Sequence, residues 1–553
     1  MPASRYSVLG DRYSLLAIAA TALAVEIPFL HFGFPSGHDV EFHLYSWLEV
    51  LSQWRQGVLY PRWAGLAHFG YGEPRFIFYP PASWTLGAAL SAIFPWTWAS
   101  CVYIWVVLGA AGVSMHVLAR RWLNSRDSLF AACLYVANPY HLLIVYWRSA
   151  FAELLASCLL PLLLLFVLRS AEKSGREQWR MVAPLSAVLA AAWLTNAPAA
   201  VMVHYSFALL IVILAWRRRS TSLLLVAAAA VVAGACLSAF YLLPAVYEQR
   251  WVHIADAVSQ GSRPQDNFLF VHTADPDHDA FNRIVSWIAV AEIFVTLSAL
   301  AAAKRWRAER RNFWLVLAAW AALTSALMFS STSFFWMHLP KLQFMQFPWR
   351  WSLCLSAVFS MAVAIGLRRW WSRLIVCGVV LSVIAIAWNR VQAPWWDNTA
   401  DLREMQDNMA TGAGYEGTDE YTPNGADPTA IDKDARRVTV DGDAHAAIHV
   451  SLWNAESKSF SAEMSAPANV VVRLFNYPAW RVEVNNKQVR TAAKEGSGQM
   501  LVPLEAGANR VEITFVRTWD RRVGGWISAV TAMAMLLWIF FAQRTTNARR
   551  VQT

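Results

Sequence analysis

Long apolar runs separated by short polar segments fill most of the first 390 residues, and one more run lies near the C-terminal end. A helix that crosses a bilayer needs about 20 mostly apolar residues, and twelve runs reach or approach this length. The pattern therefore predicts twelve spanning helices, at residues 13–34, 96–118, 127–147, 153–168, 182–195, 198–216, 221–245, 286–303, 312–330, 350–367, 374–389 and 523–542.

One further apolar run, residues 82–94, is enclosed by Pro80, Pro81 and Pro95. A helix of this length rises about 20 Å, which is less than the hydrocarbon core of about 30 Å. We interpret this run as a re-entrant or interfacial helix on the outer face. In the alternative, it is a thirteenth span and the N-terminus faces outwards.

Between residues 390 and 522 the pattern changes to short segments in which apolar and polar residues alternate. Such alternation, interrupted by turn signals, is typical of half-buried strands. The strand-like segments are residues 438–440, 448–452, 460–463, 470–474, 480–484 and 511–515. We therefore predict a transmembrane module over 1–389, a small antiparallel β-sandwich within 390–522, and a last span with a basic tail over 523–553.

Composition excludes several classes of protein. Apolar residues make up 57% of the chain and charged residues 15%, against roughly 45–50% and about 25% in soluble domains. Trp, which favours the membrane–water boundary, occurs 30 times. A soluble enzyme, a disordered scaffold and a collagen-like fibre are excluded. All six cysteines lie in apolar runs, so neither a disulfide framework nor a cysteine-based zinc site is predicted.

The net charge of +10 reflects topology. With twelve spans, clusters that hold about half of the 47 lysines and arginines all fall on the side of the N-terminus, as expected for cytoplasmic loops. These clusters are Arg5 with Arg12, and residues 120–126, 169–180, 217–219, 304–311, 368–373 and 544–550. We therefore predict that both termini are cytoplasmic and that nucleic acid is not a partner.

The first outer loop places polar residues at the membrane boundary. It begins with SGHDVEFH at residues 36–43, and the apolar residues that follow have the spacing of a helix lying in the interface. Asp39 and His43 are four residues apart and share one face of that helix. Asp39 also stands where a carboxylate caps a helix, which is the structural alternative to a catalytic role. Together with His38 and Glu41, these two residues could offer mixed nitrogen and oxygen ligands to a divalent cation.

Two more segments bring charged side chains to the same surface. Glu153 begins a span and follows Arg148 by five residues. An ionisable group entering a span is a functional candidate, and the alternative is an ordinary surface pair. Residues 341–350, KLQFMQFPWR, lead into another span. Here Arg350 and Lys341 could receive a phosphate, whose oxygens match the guanidinium fork, or Arg350 could simply anchor the helix at lipid headgroups.

Several short motifs, taken in order, resemble a known group of membrane proteins. They are GHD at 37–39, YPRW at 60–63, GYG at 70–72, FYPP at 78–81, the segment 148–153, QFPWR at 346–350 and, in the β-rich part, YPAWRV at 477–482. Over about residues 10–390 the chain is similar to the bacterial 6-pyruvoyl-tetrahydropterin synthase-related membrane proteins and the YfhO-like group. These resemble the GT-C superfamily of membrane glycosyltransferases, although residues 39–41 read Asp-Val-Glu where many GT-C first loops have an Asp-Glu pair.

The resemblance implies a GT-C-like transferase in the bacterial inner membrane. Its donor would be a polyprenyl-phosphate sugar, and its acceptor would be a glycan, a lipid or a protein at the outer face. Asp39 would be the general base, and Glu153 would be a second acid that orients the acceptor or the sugar. The residues that would bind substrates are Glu41, His43, Arg148, Lys341, Gln346 and Arg350, with Arg350 and Lys341 at the phosphate. This scheme requires no cofactor and leaves room for a divalent cation.

Two other classes of function compete with this interpretation. A carrier that flips a lipid-linked glycan predicts charged groups near the midplane and paired internal repeats. The sequence has no such repeat, and its candidate acids gather at one surface. A scaffold that merely presents the β-domain would leave the histidines and acids of the first loop without a role. We therefore expect an enzyme.

Overall fold

The computed structural model describes residues 12–551, with side chains described up to residue 541. The side chains of Arg5, Arg544, Arg549 and Arg550, which are part of the predicted cytoplasmic charge, fall outside this part. Within it, residues up to 391 are mostly helical, and residues 438–515 are mostly β-strand.

Thirteen helices precede residue 196. They are α1 (Arg12–Glu26), α2 (Phe29–Phe32), α3 (Val40–Arg55), α4 (Ala67–Gly70), α5 (Arg75–Phe78), α6 (Pro81–Ile93), α7 (Trp96–Ala119), α8 (Ser125–Val136), α9 (Pro139–Leu143), α10 (Phe151–Ala156), α11 (Leu159–Glu172), α12 (Gly175–Trp179) and α13 (Val182–Thr195). A π-helical turn, Ile144–Arg148, continues α9.

The later helices follow the same pattern. They are α14 (Ala197–Arg218), α15 (Thr221–Leu237), α16 (Ala239–Glu248), α17 (Pro276–Ala302), α18 (Lys304–Glu309), α19 (Arg311–Ala326), α20 (Ser333–His338), α21 (Ser352–Gly366), α22 (Trp370–Ile386), α23 (Thr399–Thr411) and α24 (Trp519–Val551).

The predicted spans correspond to helices. In residues 12–551, nine helical segments are long and apolar enough to cross a membrane. They are Arg12–Phe32, Trp96–Ala119, Ser125–Arg148, Phe151–Glu172, Ala197–Arg218, Pro276–Ala302, Pro348–Gly366, Trp370–Val391 and Trp519–Phe541. Two bent pairs also qualify, Thr221–Leu237 with Ala239–Trp251 at 74° and Arg311–Ala326 with Ser330–His338 at 95°. The twelfth segment is α13, of 14 residues. The polytopic class is confirmed, and the exact number of spans stays a prediction.

Helix α17 begins ten residues before the predicted span at 286–303. Asp275 caps it by accepting hydrogen bonds from the backbone N–H groups of Asp277 and His278, the favoured arrangement at a helix start. The polar residues of its first turns concealed this start in the hydropathy pattern. The longer helix brings Phe281 to the candidate site described below.

The helix predicted to lie in the interface, α3, is instead enclosed by protein. Its apolar residues Val40, Leu44 and Trp47 are buried because α3 packs against α6. Trp47 lies so close to Gly87 that a Cβ atom there would come within 2.0 Å of the indole. The prediction that this apolar stripe faces lipid is therefore wrong, since α6, the predicted re-entrant or interfacial helix, covers it.

The β-rich region near the C-terminus is confirmed and contains each of the six predicted strands. Its strands are β3 (Val438–Val440), β4 (Ala446–Trp453), β5 (Ser457–Met464), β6 (Ala468–Phe475), β7 (Trp480–Val484), β8 (Lys487–Val489), β9 (Ala492–Ala493), β10 (Gln499–Leu504) and β11 (Gly507–Phe515). They form two antiparallel sheets within the described residues, in the orders β3-β6-β10-β9 and β4-β5-β11-β7-β8.

The core of this β-rich region also includes side chains from the segment that follows α3. Residues of both sheets form a single hydrophobic cluster, and Trp63, Tyr71, Ile77 and Phe78 belong to the same cluster. The backbone N–H of Phe475 also donates to the carbonyl oxygen of Tyr71 at 3.0 Å. The predicted domain 390–522 is thus packed together with the loop that follows α3.

A second link joins the segment after α22 to the beginning of the first loop. The short strands β1 (Phe34–Pro35) and β2 (Trp396–Asp397) pair in antiparallel fashion, and the Ser36 N–H donates to the Trp395 carbonyl at 2.9 Å. These contacts place the first loop, the β-rich region and the end of α22 on one side of the helical module.

We predict that this side is the outer one, because the basic clusters then face the cytoplasm. Ser451 in β4 and Ser174 before α12 are both exposed and are predicted to lie on opposite sides. An impermeant maleimide added to cells with a permeabilised outer membrane should label Ser451→Cys before lysis and Ser174→Cys only after it. The wild-type chain controls for native cysteines, and the reverse pattern would invert the topology.

Candidate functional site

The first loop is fixed to the end of the third candidate span by backbone contacts. The N–H groups of His38 and Asp39 donate to the carbonyl oxygens of Trp147 and Arg148, at 3.3 Å and 2.9 Å. A Cβ atom on Gly37 would come within 2.5 Å of the Arg148 carbonyl carbon. Only glycine therefore permits this approach, which brings Asp39 beside Arg148.

The backbone at Arg148 is itself irregular. The π-helical turn ends at this residue, and Ser149 has a φ of 51°, a left-handed conformation that is uncommon outside glycine. The Ser149 hydroxyl accepts from the Gly37 N–H at 2.9 Å and donates to the Pro35 carbonyl at 3.0 Å. Because π-helical turns are frequent at functional sites, this geometry marks the junction as a candidate.

Four charged side chains meet at this junction. Arg148 donates from Nη2 to Asp39 Oδ2 at 2.9 Å and from Nη1 to Glu153 Oε2 at 2.6 Å. Arg350 donates from Nε to the same Glu153 oxygen at 3.2 Å. The other Glu153 oxygen accepts the hydroxyl of Tyr140 at 2.5 Å. We call Asp39, Arg148, Glu153 and Arg350 the charge cluster.

The members of the charge cluster differ sharply in exposure. The side chains of Arg148, Glu153 and Arg350 are 2%, 1% and 8% exposed, whereas that of Asp39 is 37% exposed. Asp39 occupies the N-cap position of α3, yet its carboxylate makes no capping hydrogen bond. The carboxylate pairs with Arg148 instead, so the capping alternative has no hydrogen bond to support it.

Electrostatics keep the Asp39 carboxylate ionised at neutral pH. Burial raises its pKa, but the Arg148 guanidinium and other nearby positive groups lower it by more, so the pKa lies below its ordinary 3.8. Burial lowers the pKa of His43 to about 4, which leaves that imidazole neutral. His43 packs against the rings of Tyr79 and Phe151.

Aromatic rings enclose both arginines. Phe347 and Trp349 stack with 4.9 Å between ring centroids and a 5° interplanar angle. The Arg148 guanidinium carbon lies 5.0 Å from the Trp349 ring, and that of Arg350 lies 4.6 Å from Phe347. Such contacts stabilise a cation away from water. Phe281 of α17 contacts Trp349 as well.

Of the other predicted binding residues, Gln346 lies at the cluster. Its Oε1 accepts from Arg350 Nη1 at 3.0 Å, and its Nε2 donates to the Ala257 carbonyl at 2.7 Å. Lys341 is exposed, with Nζ 4.9 Å from the Phe344 ring. Glu41 is also exposed and makes no ion pair within residues 12–541. The structure therefore brings Gln346 to the cluster but neither Lys341 nor Glu41.

The residues proposed as cation ligands make other contacts. His38 packs against the rings of Phe281 and Trp395. The described part of the chain contains no group of three or more histidine, cysteine, aspartate or glutamate side chains placed to hold a metal ion. Binding of a divalent cation therefore stays a prediction, because these contacts do not test it.

An apolar cavity of about 210 Å³ lies next to the segment that precedes Arg350. Its lining residues are Tyr205, Leu323, Ala326, Leu327, Thr332, Phe335, Leu339 and Leu342. Leu342 begins a short helical turn that ends at Met345, whose carbonyl accepts from Arg350 Nη1 at 2.7 Å. One short segment, residues 342–350, therefore has the cavity next to its first residue and the charge cluster at its last residue.

Reasoning from the sequence missed two residues of the site. Tyr140 holds Glu153, and Phe281 contacts both His38 and Trp349. A tyrosine within an apolar run gives no sequence signal, whereas Phe281 would have been found if the acidic first turn of α17 had been read as a helix start.

Comparison with known proteins identifies the family. No curated protein matches the chain. Residues 76–393 match the family model described as 6-pyruvoyl-tetrahydropterin synthase related domain; membrane protein. The match includes Arg148, Glu153 and Arg350 and covers more than half of the chain, so the predicted membership of this family is confirmed, whereas the GT-C superfamily stays a prediction. The chain belongs to the 6-pyruvoyl-tetrahydropterin synthase-related family of membrane proteins.

Proposed function

We propose that the protein is a GT-C-type glycosyltransferase that moves a sugar from a polyprenyl-phosphate donor to an acceptor hydroxyl at the outer face of the bacterial inner membrane. The observation that carries this proposal is one partly exposed, ionised carboxylate, Asp39, paired with the buried guanidinium of Arg148 in a cluster that also holds the buried Arg350. A transfer that releases a phosphate needs a base for the acceptor proton and positive charge at the leaving oxygens.

In the proposed reaction the acceptor hydroxyl attacks the anomeric carbon of the donor sugar. The bond between that carbon and the phosphate oxygen breaks, and the polyprenyl phosphate leaves with the bonding electron pair. Asp39 receives the hydroxyl proton on its carboxylate. Because the pKa of Asp39 is low, this proton transfer accompanies the bond formation and does not precede it.

Arg350 is better placed than Arg148 to meet the leaving phosphate. Arg148 is committed to two carboxylates. Arg350 uses Nε for Glu153 and Nη1 for Met345 and Gln346, and its Nη2 makes no hydrogen bond within residues 12–541. We therefore assign phosphate contact to Arg350, while Glu153, which is buried between both arginines, holds them in place.

The apolar cavity supports a lipid-linked donor. It adjoins the short turn that starts at Leu342 and ends beside Arg350, so a hydrocarbon chain there could leave its phosphate near the guanidinium. Transfer of apolar surface from water favours such an occupant. Lys341, exposed at the start of the same turn, is available to the headgroup without belonging to the charge cluster.

One observation favours the second candidate function, a carrier of a lipid-linked glycan. Glu292 is fully buried near the middle of α17, where an intramembrane acid is a functional candidate. The sequence-based view that the acids gather at one surface therefore omits Glu292. We keep the transferase as the first proposal because a carrier function would not explain the partly exposed carboxylate of Asp39.

Asp39→Asn should express, insert and bind donor, but lose nearly all transfer, because an amide cannot take the proton. A general base typically increases the reaction rate by about 10²–10⁴-fold. The measurement is release of polyprenyl phosphate from a polyprenyl-phosphate sugar by the purified protein. Asp407→Asn, the same change on an exposed acid of α23, should keep wild-type activity. Equal activity in both variants would remove Asp39 as the base.

Arg350→Lys should weaken binding of a polyprenyl phosphate by about tenfold or more, since lysine keeps the charge but loses the planar fork, and Arg350→Gln should weaken it further. Binding can be followed by native mass spectrometry. Arg403→Lys, on the exposed face of α23, serves as the control. Unchanged affinity in both Arg350 variants would limit this residue to anchoring the helix.

A further inference from the structure

A second group of buried polar side chains lies inside the helical module, apart from the ion pairs. Asn138 donates from Nδ2 to Glu292 Oε1 at 2.8 Å, and Ser356 Oγ donates to Asn138 Oδ1 at 2.7 Å. All three residues are fully buried. We call these three residues the Asn138 bracket.

Asn138 controls where the helix that carries Tyr140 and Arg148 begins. It is the N-cap of α9, and its Oδ1 accepts the backbone N–H of Tyr140 at 2.8 Å. From there α9 runs directly into the π-helical turn that ends at Arg148. A displacement of Asn138 would therefore move the tyrosine that holds Glu153 and the arginine that holds Asp39.

The other two members of the bracket connect this helix to the remaining elements of the site. Ser356 lies on α21, which directly follows the turn that contains Arg350. Glu292 lies on α17, whose first part contributes Phe281. One amide side chain thus joins the helix that leads to Arg148, the helix that follows Arg350 and the helix that carries Phe281.

Because its members are buried, the hydrogen-bonded arrangement of the Asn138 bracket is strongly preferred over one in which a helix has shifted. A polar group without a partner in an apolar environment costs about 1–3 kcal/mol, and water is scarce inside a membrane-spanning bundle. Asn138 has its amide nitrogen and its carbonyl oxygen engaged at once, across three helices. Sliding any one helix would leave at least one of these groups unpaired.

We propose that the Asn138 bracket is the positioning device that sets Tyr140 and Arg148 relative to Arg350. Glu292 acts in it as a hydrogen-bond acceptor for the Asn138 amide, and not through charge or proton transfer. The bracket touches neither Asp39 nor the candidate phosphate contact. Its members are therefore positioning residues for the proposed reaction, and their geometric role does not depend on which reaction the site performs.

Two serines of α21 allow a matched pair of variants. Ser356 and Ser360 are both fully buried on α21, one turn apart. The Ser356 hydroxyl makes hydrogen bonds to Asn138 and to its own helix, whereas within residues 12–541 the Ser360 hydroxyl has one hydrogen bond, to the Ser356 carbonyl of its own helix. Ser356→Ala removes one bond of the bracket, and Ser360→Ala removes a hydroxyl of equal burial that lies outside it.

Hydrogen–deuterium exchange of the full chain in lipid nanodiscs tests the inference without any assumption about substrate. Ser356→Ala should speed exchange of the amides in residues 144–153 by about fivefold, the effect of one lost hydrogen bond. Ser360→Ala should not, and exchange in the strands of the β-rich region should stay unchanged in both. Equal exchange of residues 144–153 in Ser356→Ala and Ser360→Ala would overturn the inference.

The role of Glu292 has its own pair of variants. Glu292→Gln keeps an acceptor oxygen for Asn138 and should leave exchange in residues 144–153 near wild type, whereas Glu292→Leu and Asn138→Ala should both speed it. If Glu292→Gln is as disruptive as Glu292→Leu, the glutamate acts through its charge or proton, and the acceptor role is wrong.

Transfer kinetics then separate positioning from simple stabilisation. Ser356→Ala should lower kcat by about tenfold with little change in the KM for donor, because small misplacements of reacting groups cost rate while Arg350 stays on its own helix. Glu292→Gln should restore kcat relative to Glu292→Leu. A change in exchange with no change in kcat would reduce the bracket to a stabilising contact. Absence of transfer in the wild-type protein would refute the proposed function and leave the exchange result to decide the bracket.

Discussion

The ion pairs of Arg148 are the interactions on which the rest of the site depends. This buried guanidinium joins Asp39 of the first loop to Glu153, which lies in the candidate span Phe151–Glu172. Breaking the fully buried pair of Arg148 with Glu153 typically costs about 3–5 kcal/mol, whereas the pair with Asp39, whose side chain is 37% exposed, is screened by solvent and contributes less. The loop and the span are therefore held together, and Asp39 is kept ionised at the only partly exposed position of the charge cluster.

The first loop, the β-rich region and the segment after α22 form a single packed unit. The loop after α3 contributes Trp63 and Tyr71 to the hydrophobic core of the β-rich region, and Phe34, which precedes α3, pairs with the segment after α22. A buried pair of Glu248 and Arg521, at 2.7 Å, joins α16 to the last helix. The contacts of Phe34 and of Trp63 and Tyr71 therefore hold the chain on both sides of α3, whose first turn follows Asp39.

The sequence allowed the candidate acids and Arg350 to be chosen because polar residues at the ends of apolar runs have no simple structural reason to be there. It could not show that Arg148 would lie between two acids, since one of them, Asp39, is more than one hundred residues away. It also could not separate Arg350, which is buried at the cluster, from Lys341, which is exposed nine residues earlier. Hydropathy records the end of a span and not the direction of a side chain.

The sequence by itself determined the class of protein, the long apolar helical segments and six strands of the β-rich region, because apolar runs and alternation are local patterns set by the bilayer and by the pleat of a strand. Only the tertiary structure decided that α3 is covered by α6, that Gly37 lies against Arg148, and that Asn138 joins three helices. These features depend on contacts between residues far apart in the chain. Their energies come from close packing and from pairing buried polar groups, which no local pattern encodes.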